Sequence, residues 1–204
     1  MHRRPLLDLL ARYRALHPAE AACVARIRSL VESRPECFER DCLPGHVTGS
    51  AWVLSPDRRR FLLTHHRKLG RWLQLGGHAD GETDVAAVAL REAGEESGLG
   101  PFAILGAAGP DPPLPIDVDV HSIPAASGGP GKAGMPAHEH HDVRFALVAL
   151  GGEARASSES NALRWFEMDA LERVLPALGA DESLLRLARK ARALLALGED
   201  RETR

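Results

Sequence analysis

At 204 residues the chain is long enough for one compact domain with an extension, because a single core commonly fills roughly 100–200 residues. Its 26 Lys and Arg nearly balance 28 Asp and Glu, so no overall basic field draws it to nucleic acid or to an anionic membrane, and neither is expected as a partner. The 44% hydrophobic content, the three cysteines and the lack of any apolar run near the ~20 residues of a membrane span exclude a disordered chain, a secreted disulfide scaffold and a membrane protein. A reduced, cytoplasmic location is expected.

The start, MHRRPLLDLLARYR, opens like a signal peptide, but Asp8 and Arg12 interrupt the apolar run. Apolar residues recur at helical spacing from Pro5 to about Leu16 (Leu6, Leu9, Leu10, Tyr13) and from Ala19 to about Val31 (Ala22, Ala25, Ile27, Leu30). The spacing predicts a two-helix N-terminal extension, broken at His17-Pro18 because a residue before proline is pushed out of the α region. Residues 34–46, RPECFERDCLPGH, carry two prolines and a glycine and read as a linker. The extension is therefore placed at 1–44 and the main domain at 45–198. A homodimer through the helical pair and a lid formed by it are both compatible with the pattern.

Val47–Leu54 and Arg60–His65 read as a hairpin around Ser55-Pro56-Asp57, and Arg71–Leu75 as a short strand running into Gly76-Gly77. A helix is predicted from about Asp84 to Ser97, stopped by Gly98. Strand candidates follow at Phe102–Leu105, Ile116–Ile123, Val143–Leu150 and Leu163–Phe166, then a short helix near Asp169–Val174. Residues 122–137, SIPAASGGPGKAGMPA, are too rich in Gly, Pro and Ala for a regular element and are expected to form a mobile loop. Leu184, Leu187, Ala188, Ala191, Leu194 and Leu195 line one face of an amphipathic helix from Glu182 to Leu197, and a disordered tail is expected over 199–204. Strands with interspersed helices make this an α/β chain.

The segment 76–100, GGHADGETDVAAVALREAGEESGLG, is the most informative. Glu92, Glu95 and Glu96 stand at i, i+3 and i+4 of the predicted helix and share one face, while Ala86, Ala89, Leu90 and Ala93 suit packing on a sheet. Like charges so spaced destabilise a bare helix by about 0.2–0.5 kcal/mol per exposed pair, so a neutralising partner is expected. A cluster of hard oxygens suits Mg²⁺ or Mn²⁺ better than Zn²⁺, and Mg²⁺ favours phosphate oxygens.

Arg91-Glu92-Ala93-Gly94-Glu95-Glu96-Ser97-Gly98-Leu99, with Gly77 at the right distance upstream, resembles the signature of the Nudix hydrolases. Where that signature has a further glutamate, this chain has Thr83, and Glu82 stands one position early. The resemblance implies a Nudix-type α/β/α sandwich with a mixed sheet, and hydrolysis of a diphosphate linkage in a nucleoside diphosphate joined to another moiety X. It further implies Mg²⁺ or Mn²⁺ held by Glu92, Glu95, Glu96 and the Gly77 carbonyl, with Arg91 orienting the glutamates. Glu95 or Glu96 would act as general base, with Glu159 a candidate from outside the helix. The alternative is a binding or regulatory module of the same fold without hydrolysis, which Thr83 favours and the three intact glutamates oppose.

Candidate substrate contacts are Arg67, Lys68, His78, His138, His140 and Arg144, for a small nucleotide-type substrate. Arg67 and Lys68 lie in the cationic run THHRKLGRW and can hold phosphate oxygens. In MPAHEHHDVRF, a strand beginning near His140 would put His138, His140 and Asp142 on one face, a pattern compatible with a metal or phosphate site or with polar loop-end residues. Nothing around Cys23, Cys37 and Cys42 suggests a nucleophile.

Overall fold

A computed structural model describes the backbone of residues 2–107, 111–127 and 134–202, and side chains as far as residue 197. In chain order the elements are α1 (Arg4–Leu16), α2 (Ala21–Ser33), β1 (Gly45–Leu54), β2 (Arg60–His66), β3 (Arg71–Leu73), β4 (Leu75–His78) and α3 (Val85–Ser97). Then come β5 (Phe102–Ile104), β6 (Asp117–Ile123), β7 (His138–Ala149), β8 (Ser160–Glu167), α4 (Leu171–Ala177) and α5 (Glu182–Glu202). Two short 3₁₀ turns, Pro18–Glu20 and Met168–Ala170, lead into α2 and α4.

All eight strands form one mixed sheet. Its centre is the parallel pair β1 and β7, in register from Gly45 opposite Glu139 to Leu54 opposite Val148. Each central strand has two outer partners: β1 pairs with β4 along its first half and with β2 at its end, while β7 pairs with β6 and then with β5. A strand alternates its side chains between faces. Val47, Ala51, Val53, Val143, Phe145 and Leu147 therefore join the core beneath α1, α2 and α3, and Trp52, Leu54, Ala146 and Val148 join the core beneath α4 and α5. The helices of the N-terminal extension are part of the first core, where Leu6, Leu10, Tyr13, Val24 and Ile27 are buried.

Two features correct the expected outline. Gly76-Gly77 lies inside a separate strand, β4, instead of ending the strand before it. Gly76 needs glycine, with φ at +153° and a Cβ overlapping the Ser50 hydroxyl, while at Gly77 a Cβ would overlap the Glu92 carboxylate and push it aside. Strand β7 begins at His138, five residues before the first apolar position, because its polar start is buried by pairing with β1 and β6 on both sides. Residues 128–133 of the expected loop, and 203–204 of the expected tail, lie outside the described residues; before the former, Ala126 pairs with Met135 as an isolated bridge, and α5 continues to Glu202.

Helix α3 is set at both ends by its sequence. Asp84 caps it, its side chain accepting from the amides of Ala86 and Ala87 at 3.0 and 3.2 Å, and Gly98 ends it with a left-handed φ of +69°. The missing side chain at Gly49 lets the helix approach the sheet, since a Cβ there would stand 2.8 Å from Val88 Cγ1. That contact seats the glutamate face of α3 beside β4.

Candidate active site

Glu92, Glu95 and Glu96 come from the last two turns of α3, and the structure gathers them with β4. The Gly76 amide donates to Glu96 Oε2 at 3.0 Å, and the Glu92 carboxylate lies against the Gly77 backbone in the space a side chain would fill. Arg91 sits 2.7 Å from Glu92 Oε1, donates to Glu95 Oε2 at 3.3 Å and to the His78 carbonyl at 2.8 Å, so one guanidinium ties helix to strand. The side chain of Glu95 is 61% exposed, against 13% for Glu92, and Glu96 is buried. Burial pushes Glu96 up to about 7, with the Gly76 amide opposing and Glu92 and Glu159 adding to the rise. Burial also raises Glu92, while Arg91 opposes it. Carboxylates that burial makes reluctant to ionise mark a candidate functional site.

Neither Thr83 nor Glu82 takes part in holding Arg91. Glu82 instead accepts from the Asp84 amide at 2.9 Å, bracing the helix start. The loop before α3 is fastened by Arg40, whose guanidinium pairs with Asp80 through two hydrogen bonds and lies near enough to Glu92 and Glu159 to feel their charge. Reading the sequence missed Arg40, which sits in the segment taken as a linker.

Arg67 and Lys68 are exposed in the turn after β2, and the Arg67 amide donates to the Glu159 carbonyl at 2.9 Å, placing that loop beside them. The Glu159 charge is near enough to add to the rise of Glu96. Arg144, expected at the substrate, is buried and all three of its guanidinium nitrogens are engaged. It donates to Asp142 at 2.7 Å, to Asp117 and Asp119 at 3.1 Å each, and to Ser183 at 2.7 Å. Its place is in an internal ion network that Arg186 extends.

His78, His138 and His140 do come together, on the face of the sheet opposite α3. His46, which the sequence reading passed over, completes the group: its ring centroid is 5.1, 5.0 and 4.8 Å from those of His78, His138 and His140. The signal was available in the alternation of His46, Thr48 and Ser50, three polar residues on one face of an otherwise apolar strand. Burial, then neighbouring imidazoles, lowers His46 to about 4 and His140 to about 3, so both rings are neutral at physiological pH. Cys23 and Cys37 are free thiols raised to about 11 by burial, far from the thiolate a nucleophile needs.

A family model described as the NUDIX domain matches residues 45–187. Solved structures of similar fold include a NUDIX-family hydrolase from Clostridium perfringens (23% identity, TM-score 0.55, covering 74% of this chain and 97% of that one). A C. elegans Ap4A hydrolase in a binary complex is 19% identical, with a TM-score of 0.50 and the same two coverages. The Nudix hydrolase RenU from M. smegmatis is 17% identical, with a TM-score of 0.50, covering 74% and 86%. At these identities the likeness shows the fold alone. No curated protein matches the chain.

Proposed function

The chain belongs to the NUDIX family and is a Nudix hydrolase, and from that premise we propose that it cleaves a diphosphate linkage in a nucleoside diphosphate joined to a second moiety X, using Mg²⁺ or Mn²⁺. The observation that carries the reading is the convergence of Glu92 and Glu96 on the side-chain-free backbone of Gly76-Gly77, with Glu95 joined to Glu92 through Arg91. This donor set fits a hard divalent ion: three carboxylates and the Gly77 carbonyl would hold it, all through oxygen. When bound, such an ion supplies neutralisation of phosphate charge and acidifies water.

The chain's own groups do the rest. Arg91 keeps Glu92 and Glu95 in one place and fixes them to β4 through the His78 carbonyl. The Gly76 amide holds Glu96 in a single orientation. Arg67 and Lys68, exposed beside the Glu159 loop, bind phosphate oxygens and draw the anionic substrate in. Water attacks phosphorus, its proton passes to a carboxylate of this group, and the anhydride oxygen departs with the other phosphate. Glu95, the most accessible of the three, and Glu159 are the carboxylates free on one side to take that proton.

The test is product analysis over nucleoside triphosphates, nucleotide sugars, dinucleoside polyphosphates, ADP-ribose, NADH and coenzyme A, with Mg²⁺ or Mn²⁺ and with EDTA. Metal-dependent release of two phosphate-bearing products from a panel member supports the proposal and names X. Binding of a panel member with no turnover would make the domain a sensor.

A further inference from the structure

We infer that His46, His78 and His140 form a second metal site, separate from the carboxylates of α3, that takes a divalent transition ion of the Zn²⁺ class. The three rings come from β1, β4 and β7, and one ring nitrogen from each lies within 4.8 Å of the others. Nitrogens bound at about 2.0–2.1 Å on a tetrahedral ion stand about 3.3–3.4 Å apart, so side-chain rotations that draw the nitrogens together by up to about 1.5 Å close the set.

Hydrogen bonding leaves these rings unexplained. His46 is fully buried, yet neither of its ring nitrogens makes a hydrogen bond of normal geometry, though the Cys42 backbone lies close, and Nε2 of His140 is likewise buried and unpaired. Buried polar atoms are nearly always paired, and a fully buried imidazole with two unmet nitrogens is stable only at a cost that an ion on one of them would reduce. The nearest carboxylate on this face is spoken for: Asp142 accepts from Thr48, Ser50 and Arg144. His138 stacks on His46 at the edge of the group, its Nδ1 donating to the Pro136 carbonyl at 2.9 Å.

Neutral imidazoles select Zn²⁺ and its neighbours, where Mg²⁺ demands oxygen, so the two sites differ in the ion they hold. They nevertheless share a strand. Gly77 lies against Glu92 on the α3 side of β4, and His78, the next residue, faces the opposite side. An ion on the histidines would clamp β1, β4 and β7 together directly behind the carboxylate site.

The experiment uses the full chain, stripped with a chelator and titrated with Co²⁺ as a spectroscopic probe and with Zn²⁺ by calorimetry. The expected result is about one equivalent of Co²⁺ with the intense visible absorption of a low-coordinate nitrogen site, unchanged in Glu96→Gln. In His140→Ala and in His78→Gln the affinity falls by at least about tenfold. Far-UV circular dichroism checks each variant; His78 is only half-buried, so His78→Gln decides the matter if His140→Ala does not fold. Failure of the wild type to bind Co²⁺ or Zn²⁺ would overturn the inference. So would binding that Glu96→Gln abolishes while both histidine variants retain it.

Discussion

Gly77 shows how one residue's absent side chain organises the site. Since a Cβ there would overlap the Glu92 carboxylate, Gly77→Ala must displace Glu92 or β4 by a fraction of an ångström. We expect kcat/KM to fall by about a hundredfold while cooperative thermal unfolding persists, measured side by side on the same preparation. Tyr13 offers a stability test at the same scale. Its hydroxyl donates to Glu20 and accepts from Lys190 at 2.7 Å in a buried setting, so Tyr13→Phe should cost about 1–3 kcal/mol in denaturant unfolding. Residues of this kind divide what sequence reading reaches from what it does not. The glutamates and Gly77 were legible because helical spacing and a fixed interval place them. Arg40 was not, since its role arises from a loop folding back on Asp80, and for His46 the local alternation marks only a polar face, its partners arriving with the pairing of β1 and β7.

Among the elements, β7 repays attention because its polar half buries a network of charges. Arg144 is enclosed by Asp117, Asp119 and Asp142, and Arg186 reaches Asp117 and Asp119 from α5 at 2.9 Å. Asp119 is subject to burial, which alone would raise it, but the His121 hydrogen bond and the charges of Arg144 and Arg186 hold it well below the usual carboxylate range. A depressed carboxylate stabilises the fold above its unfolded value near 3.9 and loses that contribution as pH falls further. Thermal melts should therefore show a steep loss of stability below about pH 4. Asp119→Asn should be less stable at pH 7 and shallower in its acid loss; an unchanged acid limb would refute the assignment. Removing the central cation is harsher, because it leaves the buried Asp142 without a cation and takes one from Asp117 and Asp119: Arg144→Met should cost about 3–5 kcal/mol. The apolar half of β7 was legible from its hydrophobic run, whereas its first five residues read as loop because their burial depends on neighbouring strands rather than on their own composition.

For the molecule as a whole, α1 and α2 share a core with the sheet, and Cys23 on α2 reaches the Val118 carbonyl of β6. The helical pair is thus part of what stabilises the domain, and Leu10→Ala, at a fully buried position of α1, should lower global stability by about 2–5 kcal/mol in a single cooperative transition. The α/β class, the two N-terminal helices and the succession of strands along the chain were readable from periodicity. The pairing of a central parallel pair with four half-length neighbours was not, since strand order is a property of the assembled sheet. What the assembly achieves is to bring the end of one helix and a glycine strand into the arrangement on which hydrolysis is proposed to depend. The most direct test is turnover of the diphosphate panel in ¹⁸O-labelled water with Mg²⁺ or Mn²⁺, comparing wild type with Glu96→Gln. Label in one phosphate product of the wild type, with a rate at least about a hundredfold lower in the variant, is the expected result. Absence of labelled product for every panel member, or equal rates in the two proteins, would contradict the assignment of the α3 carboxylates to the reaction.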